Sequence, residues 1–126
     1  MSENEIAKIV LDAAFMIHRK LGPGLLESVY ESILYRELEV EYGLKVICQQ
    51  RIPLKWKEMN MKVAFRADLI VEDKVIVELK SVEDLNPLVA KQLLTYLKLT
   101  DCKLGLIVNF NASLLKNGIK RVVNNL

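Results

Sequence analysis

The sequence has few of the residues that build zinc sites and disulfide frameworks. It holds one histidine and two cysteines, Cys48 and Cys102, which lie far apart in the chain. A Cys/His zinc site needs more ligands than these residues supply, and a disulfide is not expected in a chain of this type. We therefore expect a reduced, cytoplasmic protein.

Long apolar runs are also missing. The charge-free apolar stretches are much shorter than the ~20 residues that a membrane-spanning helix needs. The acidic start, residues 1–5, lacks the basic-then-apolar pattern of a secretion signal. Glycine and proline are scarce, at five and three residues, and no linker or low-complexity segment is visible. With 126 residues, 52% of them hydrophobic, the sequence predicts a single domain over residues 1–126 with no membrane partner.

The net charge is small and unevenly placed. Its formal value of +2 is too low to indicate a nucleic-acid-binding protein by itself. Residues 1–43 carry four Lys/Arg and eight Asp/Glu, whereas residues 44–126 carry fourteen and eight. This split fits either two differently solvated surfaces or a basic face that contacts phosphates.

Hydrophobic periodicity predicts eight elements in the order α-α-β-β-β-α-β-α, an α/β fold with a mixed sheet. A capping box of Ser2 and Glu5 begins the first helix, and Gly22 ends it. Asn86 caps the third helix, with Pro87 at its first position. The other helices are predicted over about 25–42 and 113–124, and the strands over 46–56, 61–71, 75–80 and 104–108.

Residues 65–71 and 75–80 predict a β-hairpin whose register decides which side chains meet. A two-residue turn would mix polar and apolar side chains on both faces. A three-residue turn, residues 72–74, pairs Asp68 with Glu78 and separates the two kinds, so we expect this register. The apolar face then holds Phe65, Ala67, Leu69, Val71, Val75, Val77 and Leu79, and the polar face holds Arg66, Asp68, Glu78 and Lys80.

This register places two carboxylates side by side, with Lys80 two residues along from Glu78. Adjacent carboxylates repel each other, and a divalent cation removes the conflict. A lysine beside the cation can position an attacking water and stabilise charge on a phosphate. The alternative is an exposed cross-strand network of charges, contributing ~0.2–1 kcal/mol per pair.

Several segments together resemble the GxxExxY proteins, a family assigned to the PD-(D/E)xK nuclease-like superfamily. The signature itself is Gly24-Leu25-Leu26-Glu27-Ser28-Val29-Tyr30. The resemblance implies a restriction-endonuclease-like three-layer α/β sandwich, with a mixed sheet and the core order αβββαβ. To this core we expect an extra N-terminal helix and a C-terminal helix to be added. The resembling segments are residues 18–31, 65–68, 77–80, 92–98 and 105–110.

The resemblance also implies roles for individual residues. Asp68, Glu78 and the Leu79 carbonyl match the metal ligands of the superfamily, and Lys80 matches its catalytic lysine. Glu27 resembles an extra acidic residue that completes the metal shell directly or through water. Ala67 stands where the superfamily's nominal motif has Pro, and the turn after Trp56 departs from the family's usual pattern. The further candidate site residues are Gln92 and Tyr96 on the third helix, Tyr30 next to Glu27, and Gln50 on the first strand.

The function implied is hydrolysis of phosphodiester bonds by a nuclease that uses Mg²⁺ or Mn²⁺. The expected partner is nucleic acid, with DNA favoured over RNA, and target recognition is expected to involve a homodimer or another partner. A catalytically inactive module that binds nucleic acid or protein on the same scaffold is the alternative. His18, the single histidine, is expected to be a helix-end or packing residue rather than a catalytic base.

Overall fold

The computed structural model describes residues 1–62 and 65–126, which form five strands and three α-helices with two short helical turns. None of the helices in these residues is long and apolar enough to cross a membrane. The elements are α1 (Glu3–Leu21), α2 (Glu27–Arg36), a π-helical turn (Glu37–Glu41), β1 (Val46–Trp56), β2 (Met59–Val71), β3 (Val75–Lys80), α3 (Leu88–Thr100), β4 (Leu104–Asn109), a 3₁₀ turn (Leu115–Gly118) and β5 (Ile119–Val123).

The first helix begins as its sequence predicts. Ser2 Oγ accepts a hydrogen bond from the Glu5 amide at 3.1 Å, and Glu5 Oε1 accepts one from the Ser2 amide at 2.9 Å. This reciprocal cap satisfies two amides that an uncapped helix end leaves free. Apolar side chains recur every three or four residues along the buried side: Ile6, Ala7, Val10, Ala13, Ala14 and Ile17.

The second helix begins at Glu27 rather than at about residue 25, and from Arg36 it continues into the π-helical turn that ends at Glu41, close to the predicted end at 42. Gly24, at φ +101°, has a backbone conformation that no helix allows. The Tyr30 hydroxyl then holds the loop, donating to the Gly22 carbonyl at 2.6 Å and accepting from the Leu25 amide at 3.2 Å. The amide of Leu25 is therefore used by the loop rather than by the helix.

The five strands form one sheet in the order β1-β2-β3-β4-β5. Neighbours are antiparallel except β3 and β4, which are parallel and are connected by α3. One face of the sheet packs against α1 and α2 and the other against α3. This three-layer arrangement confirms the predicted sandwich and its core order αβββαβ.

The predicted C-terminal helix over residues 113–124 is wrong. The chain there makes the 3₁₀ turn and then β5, which pairs antiparallel with β4 from Val108↔Ile119 to Leu104↔Val123. The strand forms because β4 would otherwise have an unpaired edge, and β-branched residues suit that position. At Gly118 the backbone approaches β4 so closely that a Cβ atom would clash with the Asn109 carbonyl oxygen.

Candidate metal centre

The hairpin of β2 and β3 has the predicted register. Val71 pairs with Val75, and the ladder continues to Leu69 and Val77. Glu72 and Asp73 supply left-handed backbone conformations in the three-residue turn, at φ 54° and 56°.

The pairing of β2 with β3 stops one step before Asp68 and Glu78, where the two strands separate. Asp68 Oδ2 instead accepts a hydrogen bond from the Leu79 amide at 2.9 Å. This contact holds the Asp68 carboxylate against β3 next to Glu78. The hairpin therefore brings together the two carboxyl groups that the register predicted, at the point where the pairing of its strands stops.

The predicted apolar face of β2 needs a correction at Phe65 and Ala67. Both pack on the α3 side of the sheet, whereas Leu69 and Val71 pack on the side of α1 and α2 as predicted. The alternation changes phase at Asp68. Gln49, at the corresponding position of β1, has φ 53°, and the ladder between β1 and β2 omits this pair. A left-handed residue interrupts the pleat of a strand, as in a β-bulge.

Glu78 is buried without the partners that a buried carboxylate requires. Its exposed fraction is 6%, and its Oε1 atom has no hydrogen-bond partner among the described residues. Burial, followed by the neighbouring charge of Asp68, raises the pKa of Glu78 to about 9, while the Lys80 ammonium acts in the opposite direction. Without a cation, the Glu78 side chain is therefore protonated near neutral pH.

These residues fit a divalent cation. An ion between Asp68 and Glu78 would use the free oxygen of Glu78 and remove the repulsion between the two charges. No group of three or more His, Cys, Asp or Glu side chains that could hold a metal occurs in residues 1–62 and 65–126. Two carboxylates, a backbone carbonyl such as that of Leu79, and remaining positions for water or phosphate match the preference of Mg²⁺.

A cavity of about 220 Å³ opens beside Asp68 on the side of α2. Glu27, which the resemblance to the GxxExxY proteins suggested as an extra acidic residue of the metal shell, lies on the wall of this cavity. Leu79 lines the same cavity, so three of the predicted site residues border one space. The lining consists of Glu27, Ser28, Glu31, Gln49, Asp68 and Leu79.

Three residues of this cavity, Ser28, Glu31 and Gln49, were not predicted from the sequence. Gln49 Nε2 donates to Glu31 Oε1 at 2.6 Å and to Asp68 Oδ1 at 3.3 Å, so one amide connects the two acids. Partial burial is the main cause that raises the pKa of Glu31. Glu31 could have been found because it follows Glu27 by four residues and lies on the same face of a helix.

The contact of Gln49 with this cavity could not have been predicted from sequence spacing. Strand alternation favoured its neighbour Gln50, whose amide donates to the Arg51 carbonyl at 3.0 Å and which does not line the cavity. The left-handed backbone of Gln49 changes which of the two side chains turns toward Asp68.

The α3 side of the centre is bordered by Tyr96. Burial is the main cause that raises the pKa of its phenol, and the charges of Glu78 and Asp68 add to the effect. Its ring centroid is 4.8 Å from that of Phe65. Gln92 is exposed one turn earlier on the same helix, and Lys80 is half-buried at the end of β3.

Tyr30 lies in the core and His18 is half-buried near the end of α1, and neither residue lines the cavity. Tyr30 is fully buried, and its ring stacks on Phe110 with centroids 4.3 Å apart. His18 Nε2 lies 2.8 Å from the Ala112 carbonyl oxygen, as expected of a packing residue. Tyr30 affects the site indirectly, because it orders the loop that precedes Glu27.

A family model described as the PD-(D/E)XK nuclease superfamily matches residues 4–122. No curated protein and no solved structure matches the chain. The matched range runs from Asn4 in α1 to Val122 in β5 and includes the whole candidate metal centre.

Proposed function

The chain belongs to the PD-(D/E)XK nuclease superfamily, and on this premise we propose that it hydrolyses phosphodiester bonds of nucleic acid with the help of a divalent cation. Members of this superfamily generally use such ions. The observation that carries the proposal is the buried Glu78 carboxyl group, which has a free oxygen beside Asp68. We propose Mg²⁺ or Mn²⁺ as the ion and DNA as the preferred substrate.

Each residue has a task in this proposal. Asp68, Glu78 and the Leu79 carbonyl hold the ion, and Glu27 contributes through water from the cavity wall. When bound, the ion acts as a Lewis acid that polarises the phosphate and lowers the pKa of a water ligand. Lys80 orients the attacking water and offsets negative charge on the phosphate.

The alternative of an exposed network of charges agrees poorly with the burial of Glu78. Surface pairs gain little because water already solvates both charges. A carboxyl group with an exposed fraction of 6% does not have that solvation. A module that only binds a partner also has no use for a buried carboxyl group beside Asp68, since this group must be protonated in the free protein. Both considerations favour the cation-binding interpretation.

The test is cleavage of labelled single- and double-stranded DNA and RNA with Mg²⁺, Mn²⁺ or EDTA. We expect products with Mg²⁺ or Mn²⁺ and none with EDTA. Glu78→Gln keeps the size of the side chain but removes a charged ligand, so it should abolish cleavage. Glu83→Gln, at an exposed position outside the cavity, is the matched control and should cleave normally. Absence of cleavage with every substrate and ion would contradict the proposal.

A further inference from the structure

The β1–β2 hairpin extends beyond the three packed layers. Ile52 and Phe65 are the residues farthest along this hairpin that still pack in the hydrophobic cluster against α3. Every residue from 55 to 62 is exposed. We call residues 51–66 the arm. At a rise of ~3.3 Å per residue, its tip lies on the order of 30 Å along the strand from Asp68. The arm is therefore long enough to contact something that extends well beyond the metal centre.

The arm has a larger net positive charge than the whole chain. Its five Lys/Arg and single Glu give it a net charge of +4, whereas the whole chain carries +2 and the remainder therefore −2. All five basic residues are exposed, and none of them forms an ion pair within the described part of the chain. They are Arg51, Lys55, Lys57, Lys62 and Arg66.

The base of the arm contains a pair of like charges. Arg51 lies directly opposite Arg66 in the antiparallel ladder. Like charges at directly opposed positions destabilise a sheet, and an anion between them removes the repulsion. Arg66 is two residues from Asp68, so an anion held there lies next to the candidate metal centre.

The end of the arm has an apolar side and a basic side. Trp56 lies opposite Met59, and their side chains are 62% and 60% exposed. Lys55, whose side chain points to the other face of the strand, lies opposite Asn60. A surface that combines exposed apolar groups with lysines suits a nucleic acid, whose phosphates are anionic and whose bases are apolar on their faces.

We infer that the arm binds duplex DNA and holds it against the metal centre. Arg51 and Arg66 contact phosphates next to the centre, and the lysines contact phosphates farther along. Trp56 and Met59 at the tip contact the bases within a groove. This inference rests on the proposed function, because the duplex is bound as the substrate of the same site.

Dimensions favour B-form DNA. A two-stranded β-ribbon fits its major groove, about 12 Å wide, and a reach of about 30 Å approaches one helical turn of ~34 Å. The major groove of an RNA duplex is deep and too narrow to be read in this way.

A second copy of the chain is the other occupant to consider. A symmetric contact between two arms would bring two charges of +4 together, because the same patch meets itself. The apolar side of the arm is also small, since Leu54, Trp56, Met59 and Met61 cannot supply the ~800 Å² per partner of a standard interface. The phosphates of DNA attract the positive charge of the arm, whereas a second arm would be repelled by it.

Trp56 allows a direct test because it is the only tryptophan in the sequence. Its emission therefore reports on the tip of the arm alone. We expect a 30-base-pair DNA duplex, added in EDTA to prevent cleavage, to quench this emission and protect it from acrylamide. Unchanged emission while fluorescence anisotropy shows saturated binding would overturn the inference. Emission that changes with protein concentration in the absence of DNA would identify a second copy as the occupant and overturn it as well.

Salt dependence tests the lysines. Each phosphate contact contributes ~0.9 to the slope of log affinity against log salt concentration. The triple variant Lys55→Gln, Lys57→Gln, Lys62→Gln should therefore lower the slope by about 2–3. The matched control replaces three exposed lysines outside the arm, Lys98, Lys103 and Lys120, by Gln and should leave the slope nearly unchanged.

Equal loss of slope in both triple variants would overturn the assignment of the arm. The proposed DNA binding by the arm and the proposed nuclease activity can be refuted separately, because binding is measured in EDTA and cleavage in a different assay. A protein that binds through the arm but never cleaves would retain this inference and contradict the nuclease.

Discussion

At the scale of single residues, the burial of Glu78 controls how the metal-free protein responds to pH. The pKa rises from 4.5 in the unfolded chain to about 9 in the folded protein. The resulting stabilisation is complete below pH 4.5 and is lost as the pH rises toward 9, because the unfolded chain then releases the Glu78 proton that the folded protein still holds.

We therefore expect the melting temperature in EDTA to fall, relative to that of Glu78→Gln, between about pH 5 and pH 9. With Mn²⁺ or Mg²⁺ the trend should reverse, because the ion binds the deprotonated carboxylate. Thermal melts of both proteins across this range provide the measurement. A difference between them that does not change with pH would exclude the burial of a titrating Glu78.

Lys80 gives a second prediction at this scale, since it supplies charge without being a metal ligand. Lys80→Ala should reduce cleavage by on the order of 10²–10³ and leave the metal-induced rise in melting temperature intact. Lys80→Arg should not restore the rate, because a planar guanidinium cannot replace a compact ammonium at one water. Loss of the metal-induced rise in Lys80→Ala would instead assign the lysine a role in metal binding.

At the scale of elements, the loop before α2 depends on Tyr30. Its hydroxyl bonds Gly22 and Leu25, and Tyr30→Phe leaves both backbone groups without that partner. We expect the free energy of unfolding in urea to fall by about 1–2 kcal/mol. The exposed Tyr42 provides the control, and Tyr42→Phe should change it by less than about 0.5 kcal/mol. Equal effects of the two substitutions would show that the loop is held by other contacts.

At the scale of the whole molecule, the cation should stabilise the folded state. An ion that binds only the folded protein raises the free energy of unfolding by about 2.7 kcal/mol at a hundredfold excess over its dissociation constant. We expect millimolar Mn²⁺ or Mg²⁺ to raise the melting temperature of the wild type.

Asp68→Asn tests this stabilisation, because it keeps an oxygen for the Leu79 amide and removes the charge. This variant should show no metal-induced rise, and its melting temperature in EDTA should be equal to or above that of the wild type, because the repulsion of Glu78 is relieved. The exposed Asp84→Asn is the control and should behave like the wild type. A metal-induced rise in Asp68→Asn equal to that of the wild type would place the ion elsewhere.

Much of the fold follows from local patterns in the sequence. The cap of α1, the strands β1 and β3 and the register of the β2–β3 hairpin depend on residues close together in the chain, and these predictions are confirmed. The register places Asp68 and Glu78 next to each other, just beyond the paired part of the hairpin, because apolar and polar side chains alternate on either side of the turn. The family match covers residues 4–122 and supports the predicted fold class.

The sequence by itself thus determined the element order up to β4 and the pairing that creates the candidate centre. Only the tertiary structure decided that the C-terminal segment is a strand, because the edge of β4 requires a partner that is distant in sequence. It also decided that Gln49 rather than Gln50 contacts Asp68, through a left-handed backbone that alternation does not predict. The burial of Glu78 belongs here too, because its environment includes β2 and β4, which are distant from it in sequence or brought beside it only by the sheet.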